Sequence, residues 1–315
     1  MEGVGVVVLG YGPVGRSLTE RLAAVGARVT VVQRHSPEGL PRGVTYRKGD
    51  VFDAASLRSA TKGADTLIST IGLPYRTAIW QTQWPKAMEA MLEAAEAASA
   101  RFIFADNLYM YGPFDGPLTE DLPMRPVGPK GRVRAEITEM WQEAHAKGRV
   151  LATAVRAPDF YGPFALSSWL GDPTVGRLAQ GRAAQWIGSP DVPHDYAYVA
   201  DFARALESLL GAPDSAYGQA WHVPNAPTRT SRELIALTAE ILGVPARVRS
   251  LPAFLLPIAG LFRPDLAEIE ELRHQFREPL IVDGSKFARH FWNDPTPFET
   301  GLRTTAAWFR HRVRT

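Results

Sequence analysis

Residues 4–22 confine this chain to a narrow set of folds. Val4-Gly5-Val6-Val7-Val8-Leu9 is a near-continuous apolar run rich in valine. It breaks into Gly10-Tyr11-Gly12-Pro13-Val14-Gly15 and resumes with helical spacing as Arg16-Ser17-Leu18-Thr19-Glu20-Arg21-Leu22. A strand buried on both faces shows no polar alternation, so the order reads as a parallel strand, a tight turn and a helix. The spacing Gly10-x-Gly12-x-x-Gly15 adds a chemical expectation. Gly10 permits the turn, Gly12 lets a pyrophosphate approach the backbone, and Gly15 lets the helix pack closely. The helix opens at Pro13, which lacks an N–H, and the amides from Val14 onward then face the phosphates. Glycine-rich turns are common; one that follows a strand and opens a helix predicts dinucleotide binding.

The alternation of strand and helix continues. Ala27–Val32 reads as the second strand, and its end is where an acidic residue would accept from the adenosine ribose of NAD. Gln33-Arg34-His35 stands there instead, so the acid is missing and a guanidinium is present. That combination suits a 2′-phosphate and predicts NADP rather than NAD, the alternative being a solvated Arg34. Val44–Lys48 reads as the third strand, followed by Gly49-Asp50-Val51 and a helix from Ala54 with Asp53 as its N-cap. Asp50 either shapes the turn or accepts from an adenine amino group, with Val51 beside it. Ala64–Thr70 reads as the fourth strand, and Thr70, Ile71 and Gly72 end it where a loop touches the nicotinamide half. Leu73–Trp84 reads as a loop whose Tyr75 and Trp80 either line a substrate cleft or pack beneath it, before an alanine-rich helix around Met88–Ala95. Arg101–Ala105 and Val150–Val155 read as strands five and six.

Length and composition fit this class. A chain of 315 residues with 45% hydrophobic and 22% charged residues accommodates one α/β domain with a smaller lobe. A net charge of +2 gives no reason to expect nucleic acid or an anionic membrane as partner. The absence of cysteine excludes disulfides and thiolate chemistry. The seven histidines lack ligand spacing, so no metal site is expected. The N-terminus enters the first strand with no room for a signal peptide, and Leu251–Phe262, broken by prolines, is too short to span a bilayer. These features lead to the expectation of a cytoplasmic protein.

Several weak motifs in a fixed order carry a family resemblance. Beyond the glycine turn they are Gly49-Asp50-Val51, Asn107-Leu108-Tyr109-Met110-Tyr111-Gly112-Pro113, Arg156-Ala157-Pro158-Asp159-Phe160-Tyr161-Gly162-Pro163, His194–Asp201, and Thr296–Arg303. The chain resembles the extended branch of the short-chain dehydrogenase/reductase superfamily, the branch of sugar-nucleotide epimerases and dehydratases. The resemblance implies a Rossmann-type, doubly wound parallel α/β fold with a smaller C-terminal substrate lobe. It also implies departures at the catalytic positions. Asn107 stands where that branch carries serine or threonine, Lys130 where it carries the catalytic tyrosine, and Arg134 where the lysine four residues later belongs. Lys130 with Arg134 is similar to the lysine-based motif of isoflavone and pinoresinol reductase-like enzymes. A lysine beside a nicotinamide and an arginine would have its ammonium disfavoured by like charge and desolvation, as acid–base catalysis needs. Arg134 would hold a ribose hydroxyl or phosphate, and Asn107 would donate to a substrate oxygen. The competing readings are a decayed site or one built elsewhere. Tyr109, Tyr111 and Tyr161 are alternative acids, and His194-Asp195 an alternative dyad.

The expected organisation is a nucleotide-binding domain over residues 1–225, with an insert over 164–193, and a substrate lobe over 226–315. Tyr75, Trp80, Tyr109, Tyr161, Trp169 and Trp186 are the candidate substrate contacts. Thr230 or Ser231 caps a helix that Gly243 stops, Leu251–Leu272 reads as mostly helical, and Thr300–Arg312 as an amphipathic helix. Many aromatics and few clustered arginines favour a small or semi-apolar carbonyl, imine or conjugated substrate over a sugar diphosphate. The leading expectation is an NADP-dependent oxidoreductase. A nucleotide-sensing regulator without turnover and a non-redox isomerase, cyclase or epimerase are the alternatives, and a homodimer is compatible with either.

Overall fold

A computed structural model describes residues 3–314. The chain divides into two compact units that alternate along the sequence. Residues 1–110, 129–156 and 202–221 form the first, and residues 111–128, 157–201 and 222–315 the second. The expected single boundary near residue 225 is thus replaced by repeated passage between units.

The first unit is built on a seven-stranded sheet. Its strands are β1 (Gly5–Leu9), β2 (Arg28–Gln33), β3 (Thr45–Lys48), β4 (Thr66–Ser69), β5 (Arg101–Asp106), β6 (Ala152–Arg156) and the strand Ala220–His222. The spatial order runs from Ala220–His222 through β6, β5, β4, β1 and β2 to β3, and the pairings among β1–β6 are parallel. From β1 the chain proceeds outward to β2 on one side, while β4 lies on the other. The order therefore reverses beside β1, opening the crevice where such sheets bind ligands. The valine run of β1 lies in the sheet interior, with Val6, Val7, Val8 and Leu9 all buried.

Helices α1 (Pro13–Ala24), α2 (Ala54–Thr61), α3 (Thr77–Ala98) and α4 (Gly128–Ala146) belong to this unit, α4 from its second residue. α1 buries Val14, Leu18 and Leu22, one residue per turn. Asp53 caps α2 by accepting from the amides of Ala55 and Ser56 at 3.1 Å. α3 corrects the expected loop over Leu73–Trp84: it starts at Thr77 and runs through Pro85. Trp80, Trp84, Ala87, Met88 and Met91 form one buried stripe, and its burial outweighs the proline's local cost.

In the second unit the helix Ser231–Leu242 has the capping box Thr230/Glu233 and ends at Gly243 in the left-handed region. Its core joins Leu170, Trp186, Tyr196 and Leu234 to Phe298 and Phe309 of the terminal helix Phe298–Arg314. Leu251 closes a strand, Val248–Leu251, paired in parallel with Ala184–Ile187, and the stretch after it to Leu272 is mostly helical as expected, in short pieces. Phe254, Ile258, Leu261 and Phe262 there remain exposed.

Candidate functional site

The crevice beside β1 has the features of a phosphate cradle. Gly10 has φ +91°, and a β-carbon on it would stand 3.2 Å from the Ile71 Cα. Gly15 lies against the turn itself: a β-carbon there would overlap the Gly10 carbonyl oxygen and come within 2.6 Å of the Thr70 Oγ1. Gly12 is different. No atom lies within 4 Å of the place its β-carbon would take, so this glycine faces open space. It is the N-cap of α1, supplies no side-chain cap, and is followed by Pro13 at the first helical position. The Val14 and Gly15 amides, which an α-helix cannot satisfy internally, are left to an anion. These residues fit the pyrophosphate of a dinucleotide.

The remaining cofactor candidates surround this turn. Thr70 supports it, its Oγ1 lying 3.1 and 3.0 Å from the Leu9 and Gly10 carbonyl oxygens that accept from it. Its hydroxyl is therefore a buttress of the turn, while Ile71 is half-buried and Gly72 exposed beyond β4. Gly10 donates its amide to the Val32 carbonyl at 3.0 Å, bringing the end of β2 beside the turn. Arg34 is exposed just beyond that end, and the Gln33 side-chain amide donates to the His35 carbonyl at 2.8 Å. Asp50 closes a turn by accepting from the Phe52 amide at 3.0 Å, with Val51 half-buried between them.

Lys130 and Arg134 share a face of α4 one turn apart, but the structure separates their roles. Lys130 is wholly enclosed. Its Nζ donates to the Thr77 Oγ1 at 3.0 Å and lies 4.4 Å from the centre of the Tyr75 ring. Thr77 opens α3 and Tyr75 precedes it in the loop after β4, so these contacts place Lys130 against the carboxyl side of the sheet. Arg134 departs from the expected ribose or phosphate contact. Its Nη1 lies 3.1 Å from the fully buried Asp106 carboxylate, and its guanidinium sits over the rings of Trp80 (4.7 Å) and Trp84 (4.2 Å). Arg156 Nε approaches the other Asp106 oxygen at 3.6 Å. Burial draws the Arg134 guanidinium below its ordinary value, with Asp106 opposing. Trp80 is correspondingly a buried platform for Arg134 rather than a cleft wall, with Tyr109 stacked on it at 6.1 Å. Asn107 folds the chain after β5, accepting from the Tyr109 amide at 3.1 Å. Thr77 belongs to no motif, and nothing in the local sequence signals its contact with Lys130.

The second unit holds the other candidates. The Tyr111 hydroxyl is 2.9 Å from His222 Nε2, and both side chains are buried. Tyr161 is sealed against the terminal helix, where a β-carbon on Gly301 would collide with its hydroxyl. Burial first, then Asp201, raises the Tyr161 phenol above its ordinary value, so it holds its proton more tightly than a free tyrosine. Trp186 is buried and packs 5.9 Å from the half-buried Trp169, so this pair also belongs to the core. The expected His194-Asp195 dyad is redrawn. His194 Nε2 meets Asp159 Oδ2 at 3.0 Å, whereas Asp195 accepts from the Val282 amide at 2.7 Å. Among the described residues no group of three histidine or acidic side chains is placed to hold a metal, and no helix is long and apolar enough to cross a membrane.

Comparison with known proteins agrees with this architecture. The model of the NAD dependent epimerase/dehydratase family matches residues 6–223, and the chain belongs to that family. DesIV, a dTDP-glucose 4,6-dehydratase from Streptomyces venezuelae with NAD bound, superposes with a TM-score of 0.82 at 20% identity, covering 98% of this chain and 97% of its own. The UDP-glucuronic acid 4-epimerase of Bacillus cereus in complex with NAD gives a TM-score of 0.79 at 16% identity, with 98% and 99% covered. The UDP-glucose 4-epimerase of Thermus thermophilus, also in complex with NAD, gives 0.77 at 19% identity, again with 98% and 99% covered. At these identities the likeness is one of fold. No curated protein sequence matches.

Proposed function

We propose that this protein is an NADP-dependent oxidoreductase acting on a small or semi-apolar carbonyl, imine or conjugated substrate, with Lys130 as the source of the proton. Family membership and the NAD-bound structural neighbours support a nicotinamide dinucleotide as cofactor. The observation that carries the reading is the open, uncapped start of α1 beside a β2 end that bears Arg34 in place of an acid. Gly12, Val14 and Gly15 hold the pyrophosphate and Arg34 holds the 2′-phosphate. A nicotinamide held there would contribute hydride chemistry toward the substrate. Lys130 holds its Nζ against the Thr77 hydroxyl and the face of Tyr75. As substrate oxygen or nitrogen gains negative charge, Thr77 gives up its hydroxyl proton and takes one from Lys130, so one proton is delivered for each hydride. Asn107 donates its side-chain amide to the same substrate atom.

NADPH and NADH titrations, followed by NADPH consumption across a carbonyl and imine panel, test this reading. Lys130→Met and Thr77→Val are expected to retain nucleotide affinity and lose turnover by about 100-fold or more, the range of a positioned acid. Normal turnover in Lys130→Met would remove the lysine from the mechanism. A second reading, an epimerase or dehydratase of a sugar nucleotide, is favoured by the activities named for the structural neighbours. It requires product formation without net nucleotide consumption.

A further inference from the structure

We propose that Arg16 is a second guanidinium for the cofactor's 2′-phosphate, held in place by Tyr11, so that two arginines from different elements set the choice of nucleotide. The inference rests on the NADP reading above and adds a residue that the glycine spacing does not single out. Tyr11 lies between the first two glycines, and its ring is buried to 7% exposure. Its hydroxyl donates to the Gly39 carbonyl at 3.1 Å. Gly39, at φ +70°, belongs to the loop from β2 to β3 that begins with Arg34. One hydrogen bond thus ties the phosphate turn to the loop expected to read the ribose.

Arg16 completes the arrangement. As the first residue after Gly15 it is fixed to α1, its amide donating to the Gly12 carbonyl at 2.8 Å. Its guanidinium carbon lies 4.4 Å from the centre of the Tyr11 ring. Its Nη1 stands 3.6 Å from where a β-carbon on Gly39 would be. A guanidinium held over an aromatic face directs its N–H groups outward in its own plane, the geometry that oxyanions bind, and the contact reduces the entropy lost on binding. The loop is braced at its start as well, since Tyr46 Oη donates to the Gln33 carbonyl at 3.2 Å and the Gln33 amide to His35. Arg34 and Arg16 therefore flank one braced loop, and two cations there match the dianionic 2′-phosphate that distinguishes NADP from NAD. Glu20, which acts on the Tyr11 hydroxyl, and Glu38 within the loop are the carboxylates of this neighbourhood.

The test uses the full chain and calorimetric titration with NADPH, NADH, 2′,5′-ADP and 5′-AMP. Wild type is expected to prefer NADPH to NADH, and 2′,5′-ADP to 5′-AMP. Arg16→Ala is expected to lose about tenfold or more in NADPH and 2′,5′-ADP affinity, the size of a charge-assisted contact, with NADH and 5′-AMP unchanged. Arg16→Lys should recover part of that loss. Arg16→Gln keeps most of the side chain over Tyr11 and serves if the alanine variant folds poorly. Equal binding of NADPH and NADH by wild type would overturn the NADP reading and this inference together. If wild type prefers NADPH and Arg34→Ala abolishes the preference while Arg16→Ala keeps it, the NADP reading stands and the Arg16 assignment fails. An equal loss for all four ligands in Arg16→Ala would also overturn it, since Arg16 would then only shape the turn.

Discussion

Alanine substitutions at two glycines of the same turn should behave oppositely in the free protein and alike with nucleotide. A methyl group on Gly15 would overlap the Gly10 carbonyl oxygen and stand 2.6 Å from the Thr70 hydroxyl. Backbone cannot rotate away as a flexible side chain can, so α1 must withdraw from the turn. Overpacking of this kind costs about 1–3 kcal/mol, and the carbonyl obstacle puts Gly15→Ala at the upper end. Gly12 has φ −76° and ψ −167°, open to any residue, and a methyl there meets nothing within 4 Å. Replacing glycine by alanine stiffens the unfolded chain by about 0.4–1 kcal/mol, and the loss of a good N-cap opposes it by a similar amount. Gly12→Ala should therefore change the free protein's stability by no more than about 0.5 kcal/mol. Both variants should bind NADPH at least about tenfold more weakly, one because the amides move and the other because the methyl occupies the phosphate's approach. Denaturant midpoints of the free proteins and fluorescence titrations with NADPH measure the two effects separately. Wild-type affinity in Gly12→Ala would refute the placement of the pyrophosphate at this turn. An unshifted midpoint in Gly15→Ala would refute the argument from close packing.

Three further outcomes follow from the buried groups. Asp106→Asn leaves Arg134 and Arg156 facing a neutral amide and should cost about 3–5 kcal/mol, whereas Glu93→Gln, which removes only the exposed partner of Arg58, should stay within about 0.5 kcal/mol. Matching denaturation midpoints for the two would contradict the buried network. Tyr161→Phe should be neutral or stabilising by about 1 kcal/mol, because the buried hydroxyl has no hydrogen-bond partner among the described residues. A large drop in midpoint or in turnover would restore Tyr161 as a functional phenol. Burial, with Asp283, raises the Glu120 carboxyl above its ordinary value against the pull of the His222 amide and Lys286. The folded state thus holds this proton longer than the unfolded chain. Its burden is absent below about pH 4.3 and grows as pH rises through the folded value. Glu120→Gln should accordingly gain stability relative to wild type as pH increases from about 4 to 8, and a constant difference across that range would refute the sign.

The strand–turn–helix start and the helix caps were legible because local rules decide them. Valines without alternation, three glycines at fixed spacing, Asp53 before Ala54, and Thr230 three residues before Glu233 each constrain a few neighbours and need no distant partner. The start of α3 at Thr77 carries no local signal, since the buried stripe from Trp80 to Met91 that fixes it is settled by tertiary packing. Contacts across long sequence separations left no trace. Thr77 reaches Lys130 over 53 residues, and Asp159, rather than the adjacent Asp195, meets His194 over 35.

The least legible part of the site is also the most coupled. The one-turn spacing put Lys130 and Arg134 on one face of α4, and by resemblance Lys130 stood beside the nicotinamide while Arg134 held a ribose hydroxyl or phosphate. Asp106 at the end of β5 breaks that arrangement. A carboxylate buried there must be paired, and Arg134 and Arg156 pair it, with the indoles of Trp80 and Trp84 closing over the Arg134 guanidinium. Arg134 is thereby held in the interior, away from the ribose contact that its position in the motif implies. Lys130 instead meets the Thr77 hydroxyl and the face of the Tyr75 ring. The two residues one turn apart on α4 thus serve different neighbours: Arg134 pairs with Asp106 in the interior, and Lys130 reaches Tyr75 and Thr77 beyond β4. That division is why the proton chemistry is assigned to Lys130 with Thr77, and why Asp106→Asn is expected to act on stability where Lys130→Met acts on turnover.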